Sequence, residues 1–323
     1  MKIGEFYKII GYESVKNELY QIIDMYKNVL VIATANNYRK LPTSLKKKGR
    51  FDRKIELQSP TNDDARKIIE YYMKSKCVNK NINYDDVARM IDYTSCAALE
   101  SIINESAIYA AYQRKESIDI DDIVKAYLRD CYTSPDENYK CSKEEIEVTA
   151  LHEAGHAAIA EILKEGCVGF VCIQTTGRNN SDGSTHLCDV LKRRPENILV
   201  ALGGKVAVEL YYEGKCASGC QSDLAKAAAL IRDGVNDSGT CGLGAILVNI
   251  DKTDYPSLFA NASSEAITHA ELERYMFIAR DILIKNKDFL MELKEKLEKK
   301  HILLYSDIKE IRNSTKIINI PIQ

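Results

Sequence analysis

Residues 149–163 read TALHEAGHAAIAEIL, with two histidines four apart and a glutamate beside the first. Each residue of an α-helix turns ~100°, so positions four apart lie ~40° from each other on one face. His152 and His156 can therefore turn their imidazoles toward one cation, with nitrogens ~2.0–2.1 Å from a zinc ion. Glu153 projects beside that face, where a carboxylate can take a proton from water held by the metal. Zinc lowers the pKa of such a water toward ~7, so each fixed letter of H-E-x-x-H has a mechanical reason. A plainer alternative exists: alanine, leucine and isoleucine dominate the stretch, as in a buried core helix that carries two histidines by chance. Ala154 and Gly155 are small enough to let another backbone or a substrate approach closely.

A catalytic zinc takes three protein ligands and keeps one position open. Ile159 and Ile162 stand where a metzincin would carry glycine and histidine, which excludes that class. His186 reads as part of a polar loop, and His269 and His301 fall in C-terminal helices, so a carboxylate is wanted. Glu196, Glu209, Glu213 and Asp223 are the candidates. Asp223 opens the apolar helix SDLAKAAALI, residues 222–231, and there a first-turn acid also complements the helix dipole. Spacing leaves all four open.

The 323 residues are enough for two or three domains with a hydrophobic core. Hydrophobic residues make up 45% and charged residues 28%, the balance of a soluble globular chain. A formal net charge of -2 argues against nucleic acid or an anionic membrane surface as partner. Ten cysteines contain no C-x-x-C, and the N-terminus lacks a signal-peptide pattern, so reduced intracellular thiols are expected. No apolar run approaches the ~20 residues of a membrane span. A cytoplasmic chain without a membrane segment is the expectation.

Three regions differ in texture. Residues 1–60 hold one strand signal, NVLVIATA at 28–35. Residues 61–130 predict four short helices: TNDDARKIIEYYMKSK, NYDDVARMIDYT, CAALESIINESAIYAAYQRK and SIDIDDIVKAYLRD, each with an acidic or small polar start. The first puts Ile68, Ile69, Tyr72 and Met73 on one stripe. Polar CYTSPDENYKCSKEE, 131–145, reads as a linker, and helices dominate from there to the end. The exceptions are CVGFVCIQTT, 167–176, which reads as a strand, and the GRNNSDGS loop after it. A long amphipathic helix pair over 263–301 suits packing or oligomerisation.

The segments TALHEAGHAAIAEIL, ALGGKVAVELYYEG and ASGCQSDLAKAA closely resemble the peptidase domain of the FtsH-type ATP-dependent zinc metalloproteases, over residues 146–312. The resemblance implies a helical peptidase domain with Zn2+ held by His152, His156 and Asp223, and Glu153 as general base. Asp223 is picked out as the Asp of that family's Gly-x-x-x-Asp-Leu segment, here Gly219 to Leu224. VGFVCIQTT matches the family's edge strand, where an extended substrate can pair. VLVIATANNYRKLPTSLKKKGRFDRKIEL, 29–57, resembles part of the family's AAA ATPase module, with Asn36 as sensor and Arg50 and Arg53 as the arginines that reach a neighbouring nucleotide. Residues 61–130 correspond to its four-helix lid, although Cys96 stands where glycine is usual.

The phosphate loop G-x-x-x-x-G-K-[ST] and the magnesium strand of a working AAA module are both missing from the sequence. FYKIIGYESVKNEL, 6–19, resembles the segment before that loop, and the chain then runs straight to the sensor strand. The expected organisation is mainly α: an incomplete AAA large-subdomain remnant at 1–60, irregular for want of sheet partners, a helical lid at 61–130, a linker at 131–145 and a zinc-peptidase domain at 146–323. The expected activity is endoproteolysis of unfolded or flexible polypeptides with zinc and without ATP/Mg2+ turnover, Asn36, Arg50 and Arg53 being remnants. By resemblance the chain is a homo-oligomer, a hexameric ring, in protein quality control, and family members are usually membrane-anchored with these domains facing the cytoplasm. The alternative is a non-catalytic regulatory or scaffolding subunit of an AAA protease ring.

Overall fold

The computed structural model describes residues 61–91, 95–131, 142–173, 183–188, 191, 194–212, 219–235 and 258–320, together with scattered positions within 13–21 and 32–60. Those early positions include a short 3-10 turn at Tyr38–Lys40 and no strand. Residues 32–35 of the NVLVIATA signal are irregular, and Ile32 is 58% exposed. An apolar run becomes a strand only when a neighbour takes its backbone N–H and C=O groups, and no described residue does so here. The rest of that run and Arg50 lie outside the described residues.

Four helices follow, where the periodicity predicts them: α1 (Asn62–Met73), α2 (Tyr84–Met90), α3 (Cys96–Tyr112) and α4 (Ile120–Cys131). Thr61, Asn83 and Ser95 cap the first three, each side-chain oxygen accepting a first-turn backbone N–H. Ile68, Ile69 and Met73 are buried as the stripe requires, with Tyr72 half-buried beside them. They share a core with Val87, Ile103 and Ile123. Asp122, fully buried in α4, is neutralised by Lys115, whose ammonium lies 2.9 Å from it.

The second half is organised around α5 (Lys143–Leu163). A capping box starts it: Glu145 N–H donates to Ser142 Oγ at 3.2 Å and Ser142 N–H to Glu145 Oε2 at 2.6 Å. From Val148 to Ile162 every side is buried, so the Ala-rich HEAGH segment is a central helix enclosed all round. Against it lie α6 (Arg194–Tyr211) and α9 (Lys287–Lys300), while α7 (Cys220–Asp233) and α8 (Leu258–Lys285) pack around α6. α5 and α6 cross through two glycines: a Cβ on Gly155 would lie 2.4 Å from the Gly203 carbonyl oxygen, and one on Gly203 2.6 Å from that of Gly155. The predicted C-terminal helix pair is present, broken at Asn286. Its side-chain amide donates to the carbonyls of Ile282 and Ile318 at 2.9 and 3.0 Å.

Among the described residues, one three-stranded antiparallel sheet, in the order β2-β1-β3, joins the two halves: β1 is Val168–Cys172, β2 Ser184–Leu187 and β3 Ile302–Leu304. The VGFVC strand is therefore central, which corrects its reading as an edge; among the described residues β2 is an edge strand, beside α5. Phe170 and Cys172 enter the core of α1–α4, while Val168 and Val171 enter the core around α5. Burial on both faces explains the unbroken apolar run. Helix α10 (Tyr305–Ser314) fastens the same junction, with the Ser306 N–H and hydroxyl donating to Asp86 of α2 at 2.8 and 2.7 Å.

Glu161 anchors the turn from α5 into β1. Its buried carboxylate accepts the backbone N–H of Gly166 at 2.9 Å and of Val168 at 2.8 Å. Burial pushes this carboxyl up, against the pull of those two donors and of Arg312. Glu161→Ala would leave both N–H groups without an acceptor in the interior, so stability should fall by about 1–3 kcal/mol. The denaturant midpoint measures it, and an unchanged midpoint would mean that water replaces the carboxylate.

Candidate metal centre

The two α5 histidines and one α7 carboxylate meet at a point. His152 Nε2 lies 3.0 Å and His156 Nε2 3.1 Å from Asp223 Oδ2, and the two imidazole nitrogens are 3.1 Å apart. Among the described residues, these three form the group of ligand-type side chains close enough to share one ion. Their spacing and donor chemistry fit zinc, whose tetrahedral ligand atoms, ~2.0–2.1 Å from the metal, stand ~3.3 Å apart. Asp223 is in the first turn of α7, so it also faces that helix's positive end.

The histidines are oriented from behind. His156 Nδ1 lies 2.6 Å from the Val200 carbonyl of α6, a bond that takes a proton on Nδ1, so Nε2 is the nitrogen that would turn its lone pair to a metal once its own proton, now shared with Asp223, has left. His152 turns Nδ1 toward Cys220 Sγ at 3.8 Å. Burial alone would raise the Asp223 carboxyl, yet hydrogen bonds from both histidines hold it well below the usual carboxylate range. Burial alone would likewise lower His156, but the bond to Asp223 and the nearby Glu153 charge hold it above its ordinary value. The pocket thus sets an anionic aspartate against two histidines, a donor set that a divalent cation can bridge.

Glu153 is 5% exposed and projects beside the face that carries the histidines. Its Oε2 accepts a hydrogen bond of 2.6 Å from Thr185 Oγ1 on β2. Gly204 of α6 forms the floor beneath the imidazoles: a Cβ there would lie 2.5 Å from His156 Nε2 and 2.6 Å from His152 Cε1.

Of the other carboxylates considered, Glu209 is paired with Lys205 and lies 3.5 Å from Arg280. Glu196 lines a cleft with Glu165 and Arg312 at the far end of α5. Glu213 lies outside the described residues. His186 is corrected from a loop to strand β2, where its partner across the sheet is Phe170 and its ring meets Tyr127 of α4. Asn36 and Arg53 are both exposed, and Arg53 approaches Glu18 at 3.7 Å. Sequence reasoning missed Thr185, Gly204, Cys220 and the Val200 carbonyl. Only the Gly203-Gly204 pair left a signal, since glycine inside a helical pattern points to close packing.

Fold and site together define a mainly helical protein built around a three-donor pocket suited to a zinc-sized ion. Residues 139–311 match the model of peptidase family M41, and residues 3–59 match that of the ATPase family associated with various cellular activities (AAA). Similar curated proteins include the ATP-dependent zinc metalloprotease FtsH of Karelsulcia muelleri, 28% identical over 93% of this chain and 51% of its own length. The ATP-dependent zinc metalloprotease FtsH of Lachnoclostridium phytofermentans is 29% identical over 88% of this chain and 50% of its own. ATP-dependent zinc metalloprotease FtsH 1 of Sphaerobacter thermophilus is 30% identical over 67% and 34%. The chain belongs to peptidase family M41. It spans about half the length of the curated relatives it matches.

Among the described residues, no helix is long and apolar enough to cross a membrane.

Proposed function

We propose that the chain is a zinc-dependent endopeptidase acting on flexible or already unfolded polypeptides, with His152, His156 and Asp223 as zinc ligands and Glu153 as general base. The convergence of those three donor atoms within 3.1 Å of one another, beside a buried glutamate, carries the proposal. Bound zinc would supply Lewis acidity at the position the three ligands leave open, acidifying water and polarising the scissile carbonyl. Glu153 takes the proton of the attacking water on its carboxylate and returns it to the leaving amine nitrogen. Strand β2, an edge among the described residues, lies beside Glu153, and an extended polypeptide pairs along it by backbone hydrogen bonds with little demand on its sequence.

The peptidase unit starts at the α5 capping box, and α1–α4 are the lid of an AAA module whose phosphate loop and magnesium strand the sequence lacks. Nucleotide turnover is therefore not part of the function, and Asn36, Arg50 and Arg53 have no nucleotide of their own to sense. A homo-oligomeric ring is part of the proposal, by the resemblance to the FtsH-type family.

Cleavage of an unstructured peptide, followed with and without ATP and a zinc chelator, tests the proposal. Cleavage should proceed without ATP, stop on chelation and return with added zinc. Zinc far below one per chain with both histidines intact would overturn the metal site. Stoichiometric zinc without cleavage would favour a scaffolding subunit instead.

A further inference from the structure

We propose that Thr185 is a positioning residue for Glu153 and that Gly183 is the gap that admits the glutamate's carboxylate. The inference rests on the peptidase reading above and concerns what fixes its base. A glutamate on a helix has three rotatable side-chain bonds, and neither histidine bonds to this one. What holds it comes from across the sheet. Thr185 Oγ1 is 2.6 Å from Glu153 Oε2 and 3.2 Å from the Glu153 backbone oxygen. The hydroxyl has one proton, and the shorter contact takes it. Oε2 is thereby engaged, while Oε1 takes no hydrogen bond from Thr185.

Two features keep this arrangement in place. Thr185 pairs with Val171 of β1, the central and fully buried strand, so the ladder fixes the height of the hydroxyl over α5. At Gly183 a Cβ would lie 2.6 Å from Glu153 Cγ and 2.7 Å from Oε1. Any larger residue would occupy the volume that the carboxylate fills. The Gly183-x-Thr185 segment therefore sets both limits of the glutamate: the glycine leaves the space, and the threonine ties the carboxylate into it. Proton transfer needs heavy atoms within about 2.6–3.2 Å, and a misplacement of ~1 Å can cost ~10²-fold in rate.

The test compares the full wild-type chain with Thr185→Val and Thr185→Ser, each with measured zinc content, on an unstructured peptide. In Thr185→Val, kcat should fall about 10–100-fold, with KM within about twofold and zinc still at one per chain. Thr185→Ser, which keeps the hydroxyl, should recover kcat to within about threefold of wild type. Crystals of the metal-free proteins supply a readout independent of activity: the contact from residue 185 to Glu153 should persist in wild type and serine, and the carboxylate should shift in valine. Wild-type kcat in Thr185→Val overturns the proposal, as does a loss that serine fails to rescue or a wild-type crystal with the two groups apart. If the zinc-loaded wild type cleaves nothing, the peptidase reading fails. The metal-free crystals then decide the Thr185–Glu153 contact by themselves, its presence supporting the positioning role and its absence overturning it.

Discussion

Glu153→Gln should leave zinc at one per chain and lower cleavage of an unstructured peptide by about 10²–10⁴-fold, the range of general acid–base catalysis. The substitution is nearly isosteric, and the amide oxygen can still accept the hydrogen bond that Thr185 now donates at 2.6 Å. What disappears is the ability to take up a proton and release it to the leaving nitrogen. His152, His156 and Asp223 are untouched, so the metal stays. Metal analysis and steady-state rates on the same preparation give both halves of the result. Undiminished cleavage with zinc bound would remove Glu153 from the mechanism and leave it a buried carboxylate with a structural partner.

Gly204→Ala should cost the protein its zinc and, with it, its cleavage activity. Alanine favours a helix interior over glycine by about 1 kcal/mol, so propensity alone predicts a gain in stability. Space reverses the sign. The new methyl would sit 2.5 Å from His156 Nε2 and 2.6 Å from His152 Cε1, well inside contact distance. His156 cannot simply withdraw, because its Nδ1 is fixed to the Val200 carbonyl at 2.6 Å. If α6 moves off instead, it must open the Gly155–Gly203 crossing. Either response spreads the donor triangle that fits zinc. Zinc content of the folded variant, checked by its helical circular dichroism, should fall far below one per chain. A variant with full zinc and full activity would show that the crossing of α5 and α6 can spread at little cost.

Helical content was legible because its signals are local. The caps at Thr61, Asn83 and Ser95 and the Ser142/Glu145 box each act within three or four residues, so the sequence carries them in plain order. The sheet was less legible. VGFVC reads as a strand, but whether a strand is central or at an edge depends on its neighbours, and β3 arrives from residues 302–304. His186 looked like a loop residue because glycine, serine and asparagine precede it. Pairing with β1, rather than local composition, makes that stretch a strand.

The spacing of HEAGH is enough by itself to bring two imidazoles and a carboxylate to one side of a helix, since 3.6 residues per turn leaves no other arrangement. That local periodicity determined the kind of chemistry open to this chain, and the family resemblance singled out Asp223. Only the tertiary structure could decide whether the parts meet. Asp223 is 67 residues from His156 and Thr185 is 32 from Glu153, separations over which chain periodicity carries no information. The close crossing of α5 and α6 through Gly155 and Gly203 seats His156 against the Val200 carbonyl. The packing of α7 then brings Asp223 within 3.1 Å of both histidines.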